Sequence, residues 1–369
     1  MQTDFGAISA ARKKIWAAEA WKQGRDESFW FSNAFVGANE NDMNRPITRV
    51  TKLTKTERGL ECIMQLVADL QGDGVAGDNL LEGNEEAMFN DAQTIRIDQL
   101  RNGVRSKGRV SEQATVIRFR TTGRDKLGFW MAEKIDEMGH LTVAGRAFTL
   151  KTNGTTRVGS QLPQLSFAND VVAASTNRII YAGSATSEAN LTAADKMSWN
   201  LIVKACAFAK RKKIKPIRQG GRMYYALLLS TEQLRDLQQD ADYQTIVKTA
   251  GARGTKNPLF NNAVAVVQGV VIYDHNKVFC TLGKASGSKW GSGGTIDGAQ
   301  AQLFGAQAMG FATIGDVDWE ESDNTDYKAR PGIAVGRMLG MLKPQFRSEP
   351  DNNSTEDFGT VAIKTAAAA

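Results

Sequence analysis

The sequence predicts an α+β protein with long loop excursions, and three observations predict it. Leu60, Cys62, Met64 and Leu66 alternate as in a half-buried strand, and Ile95 and Ile97 repeat that pattern after a long gap. Ala114, Ile117, Leu127, Trp130, Met131, Ile135 and Met138 recur at spacings of roughly three and four, the mark of one long amphipathic helix. A second helix, a buried-looking strand and a short third helix follow between Thr192 and Asp240, and the chain shows no internal repeat.

Each element has its own signal. Ala7–Gln23 has helical spacing and reads as part of an arm over residues 1–45. The strand-like runs Ile47–Val67 and Gln93–Asp98 flank Ala68–Ala92, a connection far longer than an ordinary hairpin loop, and loops of that length usually bind something or are disordered. Ser111 is placed as an N-cap, Gly123 and Gly128 as bends, and Gly139 as the end of the long helix. Residues 141–190 read as irregular strand and loop. Thr192–Asp195 resembles a capping box opening a helix that buries Met197, Leu201, Ile202, Ala205 and Phe208 and ends at Lys210–Lys213, before Pro216. Met223–Leu229 is a buried strand, and Ser230 or Thr231 caps the helix after it. Ala263–Tyr273 and Lys277–Leu282 read as a hairpin turning at Asp274–Asn276, followed by flexible Gly283–Gly298. Arg330–Phe346 and Thr360–Ile363 read as late strands returning to an earlier domain.

Composition excludes several classes. A chain of 369 residues, 42% apolar and 23% charged, has room for two average domains or one elaborated fold. Cys62, Cys206 and Cys280 are too scattered for a CxxC or zinc set, and an odd number makes no disulfide framework. Met1–Ser9 has no signal-peptide core, and the longest apolar runs fall short of a membrane span. A P-loop is ruled out because Gly283-Lys284 is followed by Ala285 and Val278 stands where the first Gly belongs. An EF-hand at Asp69–Glu82 fails because Gln71 and Leu80 occupy ligand positions. His140 and His275 read as structural, and the acid pairs Glu85/Glu86 and Glu320/Glu321 as solvated carboxylates rather than a hydrolase pair.

The net charge of +6 hides strong segregation. Gln71–Asp98 carries seven acids and one base, and Gln99–Lys126 eight bases and two acids. Lys204–Arg222 has eight bases and no acid, and Asp316–Asp326 six acids and no base. Alternating blocks suit a surface that must meet another copy of itself in electrostatic register. A nucleic-acid groove is the rival reading, weakened because Phe119 alone among aromatics is interleaved with the bases of Gln99–Lys126.

The stretch GDGVAGDNLLEGNEE, followed by IRIDQLRNGVRSKGRVSEQ, resembles the major capsid proteins of tailed bacteriophages. More narrowly it is similar to the family typified by the coliphage that carries a virion RNA polymerase. The resemblance runs through Leu70–Glu86, Ile97–Arg101, Trp130 with Ile135 and Asp136, Leu191–Arg211 and YYALLLSTEQLRDL, and leaves residues 141–190 and 284–330 unaligned. It implies an HK97-type fold: an N-terminal arm over 1–46, an extended β-hairpin loop over 47–108, a peripheral domain with a long spine helix over 109–215, an axial domain over 216–329, and a C-terminal return to the peripheral domain over 330–369. It implies hexamers and pentamers closing an icosahedral head around double-stranded DNA bound without sequence specificity. No catalytic residue, cofactor or metal is expected, and no membrane. The implied partners are the chain itself, a scaffolding protein, a portal protein at one vertex and a decoration protein. The implied place is the virion, after assembly in the host bacterial cytoplasm. The scaffolding protein is expected as a separate chain, because the arm-like helix begins soon after Met1. A cargo-enclosing nanocompartment shell of the same fold, a basic nucleic-acid-binding module and an acid-pair enzyme stay open as alternatives.

Charge and length together predict one inter-subunit contact. The acidic loop offers Asp73, Val75, Asp78, Leu80, Leu81, Glu82, Glu85 and Glu86. The facing basic surface on a neighbouring subunit is expected at Arg105, Lys107, Arg109, Arg118, Arg120 and Arg124. A loop that buries no core of its own gains order from an interface between copies.

Overall fold

A computed structural model describes residues 18–19, 22, 27–39, 42–50, 59–67, 70, 72–86, 90–108, 113, 119–219, 221–250, 265–267, 269–322 and 329–367. Most of the predicted arm helix and the Ser111 cap lie outside the described residues. The helices are α1 (Phe29–Ser32), α2 (Phe119–Ala144), α3 (Trp199–Arg211), α4 (Thr231–Gln239) and α5 (Ala241–Ala250). Strands β1 (Ile47–Val50), β4 (Asp98–Arg105), β11 (Met309–Ser322) and β12 (Gly332–Leu342) form a four-stranded sheet in the order β1-β11-β12-β4. A second, seven-stranded sheet runs β5-β15-β10-β7-β9-β8, with β6 on β7. Its members are β5 (Ile179–Tyr181), β6 (Ile217–Gln219), β7 (Arg222–Leu229), β8 (Ala265–Val267), β9 (Val270–Asp274), β10 (Gly298–Phe304) and β15 (Thr360–Ala366). Two small hairpins complete the molecule: β2 (Glu61–Val67) with β3 (Asn90–Arg96), and β13 (Gln345–Ser348) with β14 (Ser354–Asp357).

Alternation sets the two faces of the seven-stranded sheet. Leu227, Leu229, Ile272, Leu303 and Ile363 point to one face, where α3 packs with Leu201, Ile202 and Ala205. Leu228, Tyr273 and Phe304 point to the other, into the core shared with α2 and the four-stranded sheet. Helix α2, 26 residues and therefore about 39 Å long, passes through that core. Its last two turns are buried all round, so the one-sided spacing legible up to Met138 disappears there.

Several expectations are corrected. The long helix does not end at Gly139. A Cβ there would lie 2.6 Å from Trp30 Nε1, so this glycine admits an indole against the helix. The helix stops at Ala144, before Gly145 at φ +65°. Thr192–Asp195 is a closed turn, with the Thr192 amide and hydroxyl both donating to Asp195 Oδ2 at 2.8 and 2.9 Å. Helix α3 begins later, where Ser198 Oγ accepts from the Leu201 amide. At α4 the cap is Ser230, which with Gln233 completes a capping box. The predicted hairpin turns at Gly269, φ +83°, between β8 and β9, and Lys277–Leu282 forms no strand. Gly283–Gly298 is fixed by backbone bonds between Trp290 and Ile296, with Trp290 buried.

The expected domain boundaries and the observed sheets divide the chain differently. Strands β1 and β4, expected within the extended loop, and β11, expected in the axial domain, share the four-stranded sheet with β12. The C-terminal return splits: β12 joins β4, while β15 enters the seven-stranded sheet between β10 and β5. Sequence alternation marks a strand but not its partner, and these pairings span most of the chain.

Candidate inter-subunit surfaces

The β2–β3 hairpin is rooted by its apolar face. Cys62, Met64, Leu66, Ile95 and Ile97 are buried against Ala312, Ile314, Leu342 and Phe358. The alternation read from sequence is thus the buried face of this hairpin, while Leu60 and Ile63 stay exposed. Two glycines let the root lie close on the sheet. A Cβ at Gly340 would sit 2.2 Å from the Arg96 carbonyl oxygen, and one at Gly310 2.8 Å from Ile95 Cδ1. The hairpin β13–β14 clamps it from the side: Gln93 Nε2 donates to the Gln345 carbonyl at 2.6 Å, the Gln345 amide to Gln93 Oε1 at 3.0 Å, and the Arg347 amide to Asp91 Oδ2 at 2.9 Å. Gly340→Ala should therefore destabilise the subunit by about 1–3 kcal/mol, because the clash is with rigid backbone. Faster amide exchange across β3 checks this, and unchanged exchange and stability would show that the root does not rest on that contact.

Beyond the root the polypeptide leaves the body of the subunit. Across residues 72–86 every side chain is exposed except the half-buried Val75, with Leu80 at 69% and Leu81 at 58%. The loop is nonetheless shaped by its own groups. Glu86 Oε2 accepts from the Gly72 amide at 2.6 Å, closing the base, and Glu85 Oε2 accepts from the Gly83 amide at 2.8 Å. Asn79 and Asn84 donate to the carbonyls of Ala76 and Leu80. Gly74, Gly77 and Gly83 all adopt positive φ, which accounts for the glycine spacing of the motif. Glu85 and Glu86, predicted as contacts for a neighbour, thus hold the loop's own fold. Asp73, Asp78 and Glu82 point outward on its exposed surface.

Among the described residues, the predicted basic surface is partly engaged within the subunit. Arg105 and Lys107 are exposed at the end of β4. Arg120 lies 3.7 Å from Glu321, and Arg124 pairs with Glu19 and, at 3.1 Å, with Asp125. Arg109 and Arg118 lie outside the described residues. Arg105 lines an open cleft with Glu320 and Glu321, so the acidic block of β11 meets the basic block of β4 and α2 within one subunit. Another basic block is likewise compensated internally, Lys212 pairing with Asp351 and Lys213 with Glu349. Except for Arg124 with its neighbour Asp125, sequence reasoning had no signal for these pairings, because each joins residues far apart in the chain.

As a hydrolase pair, Glu320 and Glu321 fail on geometry. Neighbours on one strand, they point to opposite faces, and Glu321 accepts from Trp319 Nε1 at 3.0 Å. Among the described residues no three His, Cys, Asp or Glu side chains gather to hold a metal ion, and no helix is long and apolar enough to cross a membrane. All three cysteines are buried.

Comparison with known proteins converges on one class. A family model described as phage capsid protein matches residues 3–369. The curated major capsid protein of Pseudomonas phage KPP25 is 39% identical over 375 residues, covering 99% of this chain and 98% of the relative. Among solved structures, the capsid of Ralstonia phage GP4 superposes with a TM-score of 0.78 at 25% identity, over 100% of this chain and 96% of that one. The Cyanophage Pam1 capsid gives 0.69 at 16% identity, with the same coverage of both chains. The head structure of Helicobacter pylori bacteriophage KHP40 gives 0.64 at 17% identity, over 100% of this chain and 95% of that one.

Proposed function

Because the chain belongs to the phage capsid protein family and has the HK97-type fold, we propose that it assembles into hexamers and pentamers of an icosahedral head that encloses double-stranded DNA. The observation that carries this reading is the β2–β3 hairpin, firmly rooted in the subunit yet projecting an acidic, leucine-bearing tip that covers nothing of its own. A tip of this kind is completed by a second copy. Its acceptor on the neighbour is the basic edge that includes Arg105 and Lys107, with Arg109 and Arg118 as further members and with Arg120 and Arg124 contributing where assembly exchanges their partners. We assign the four-stranded sheet and α2 to the peripheral domain, and the seven-stranded sheet with α3 and α4 to the axial domain.

The family reading supports a structural role without catalysis, in the virion after assembly in the host cytoplasm. It also supports a scaffolding protein during assembly, a portal protein at one vertex and a decoration protein outside. Phage relatives favour the DNA-filled head over a cargo-enclosing nanocompartment. Negative-stain microscopy and sedimentation of the purified chain test the proposal: capsomer rings or megadalton particles are expected. A protein that stays monomeric at high concentration and binds DNA with steep salt dependence would overturn it.

A further inference from the structure

The chain has two histidines, and they meet. His140, on the buried side of α2, and His275, in the turn after β9, stack with ring centroids 4.8 Å apart and planes 12° apart. Around them stands an aromatic box. Phe29 lies 4.7 Å from His275 and 5.6 Å from His140, Trp30 lies 4.6 Å from His140, and Phe35 packs edge-on to Tyr273 at 5.0 Å. One turn back along α2, the buried Asp136 carboxylate accepts from Ser28 Oγ at 2.6 Å and from the Phe29 amide at 2.9 Å. Three parts of the molecule thus converge: the segment Ser28–Phe35, the spine helix and the C-terminal end of β9 in the seven-stranded sheet. Helix α1 is only four residues long and has no stability of its own, so this segment keeps its place through tertiary contacts: the box and the carboxylate on the α2 side, and on the other side Phe31 against Phe311 and the Ile47 amide donating to the Phe35 carbonyl at 3.0 Å.

We propose that this cluster is an acid-sensitive latch, in which protonation of the stacked histidines forces the rings apart and frees the Ser28–Phe35 segment from helix α2. Two cations face to face at that distance repel strongly when water is excluded. His140 Nε2 is buried and faces no protein acceptor, so a proton placed there gains no hydrogen bond from the fold.

The titration supports this direction. Burial, then the charges of His275 and Lys277, push His140 well below the usual imidazole range, and burial with Lys277 lowers His275 to about 4. Burial raises Asp136 to about 6, against the bonds from Ser28 and Phe29. The other charged or titratable neighbours are Lys277, paired with Glu133 at 2.8 Å, and the Tyr273 phenol, pushed up to about 12 and so neutral throughout. The stabilisation held in two neutral histidines is complete above about pH 6.5 and falls about tenfold per histidine per unit below it. Asp136 acts in the opposite sense: its ionised form is penalised above about pH 6, and protonation below that returns about tenfold per unit. Two losses against one gain leave the docked-to-free ratio falling about tenfold per unit between pH 6 and pH 5.

Hydrogen exchange of the full chain, corrected for intrinsic rates, tests the latch at the amides of residues 29–36. Protection there should fall about tenfold from pH 6 to pH 5 while β15 stays protected. His140→Phe with His275→Phe keeps the stack but leaves Asp136 alone to titrate, so the dependence should reverse, with protection rising several-fold from pH 6 to pH 5. Asp136→Asn removes the opposing titration and should steepen the wild-type fall towards a hundredfold, a reading available even where the double phenylalanine variant does not fold. A segment equally protected at both pH values, or an Asp136→Asn slope unchanged from wild type, would overturn the proposal.

Discussion

Arg178→Met should lower the stability of the unassembled subunit by about 3–5 kcal/mol, a large part of what a domain of this kind possesses. The Arg178 side chain is fully buried. Its guanidinium donates to Asp351 Oδ2 at 2.6 Å, to Ser348 Oγ at 2.8 Å, and to the carbonyls of Asp357 and Asn177 at 3.2 and 3.3 Å. Beside it a second buried pair, Lys343 with Asp357, closes at 2.9 Å. Removing the guanidinium leaves Ser348 and two carbonyls without their donor in a place that water does not reach. Lys213→Met is the control: its pair with Glu349 belongs to the same turn but is exposed, so its loss should cost about 1 kcal/mol or less. Urea unfolding of both variants reads the difference. Equal losses would show that the Arg178 network is as well screened as a surface pair.

The effect of Arg178 should also travel. The network ties the β13–β14 hairpin and the turn before β5 to one another, and β13 in turn holds β3 through Gln93, Gln345 and Arg347. The root of the projecting loop is thus supported by charges at the far end of the chain. This is why the sequence shows the loop but not its foundation. Alternation at Cys62, Met64 and Leu66 is a local signal, and one buried face suffices to create it. The cap of α4 is also local and legible as Ser230 or Thr231, although the choice of Ser230 and its capping box with Gln233 come from the structure. Gly139 is the opposite case: as a sequence feature it marks a helix end, and only Trp30, packed against it from the arm, reveals a close approach. The charge blocks misled in a similar way. Read along the chain they are uncompensated, but folding brings Glu321 to Arg120 and Asp351 to Lys212. Each histidine read singly was structural, and their meeting depends on the spine helix passing beside β9.

Reversing Asp73, Asp78 and Glu82 to Lys should leave a folded subunit and impair shell closure, most visibly at low ionic strength. These three carboxylates are chosen because Glu85 and Glu86 bond to the Gly83 and Gly72 amides, so altering them would change the loop's shape as well as its charge. The triple reversal shifts the net charge of each loop by six units and replaces attraction to a basic neighbour by repulsion. One exposed pair contributes only about 0–1 kcal/mol, but the contact recurs at every subunit of a closed shell, and weak terms multiply. Screening shortens their reach to about 10 Å at 0.1 M salt and about 3 Å at 1 M, so the defect should soften as salt rises. Leu80→Asp with Leu81→Asp separates the other component, since loss of apolar burial should persist at high salt. Reversing Arg105 and Lys107 to Glu in the same chain should restore part of the closure if they form the acceptor edge. Particle yield by sedimentation at low and high salt measures each step. Normal assembly of the triple variant at low salt would show that the loop's charge plays no part in joining subunits, leaving its leucines as the contact.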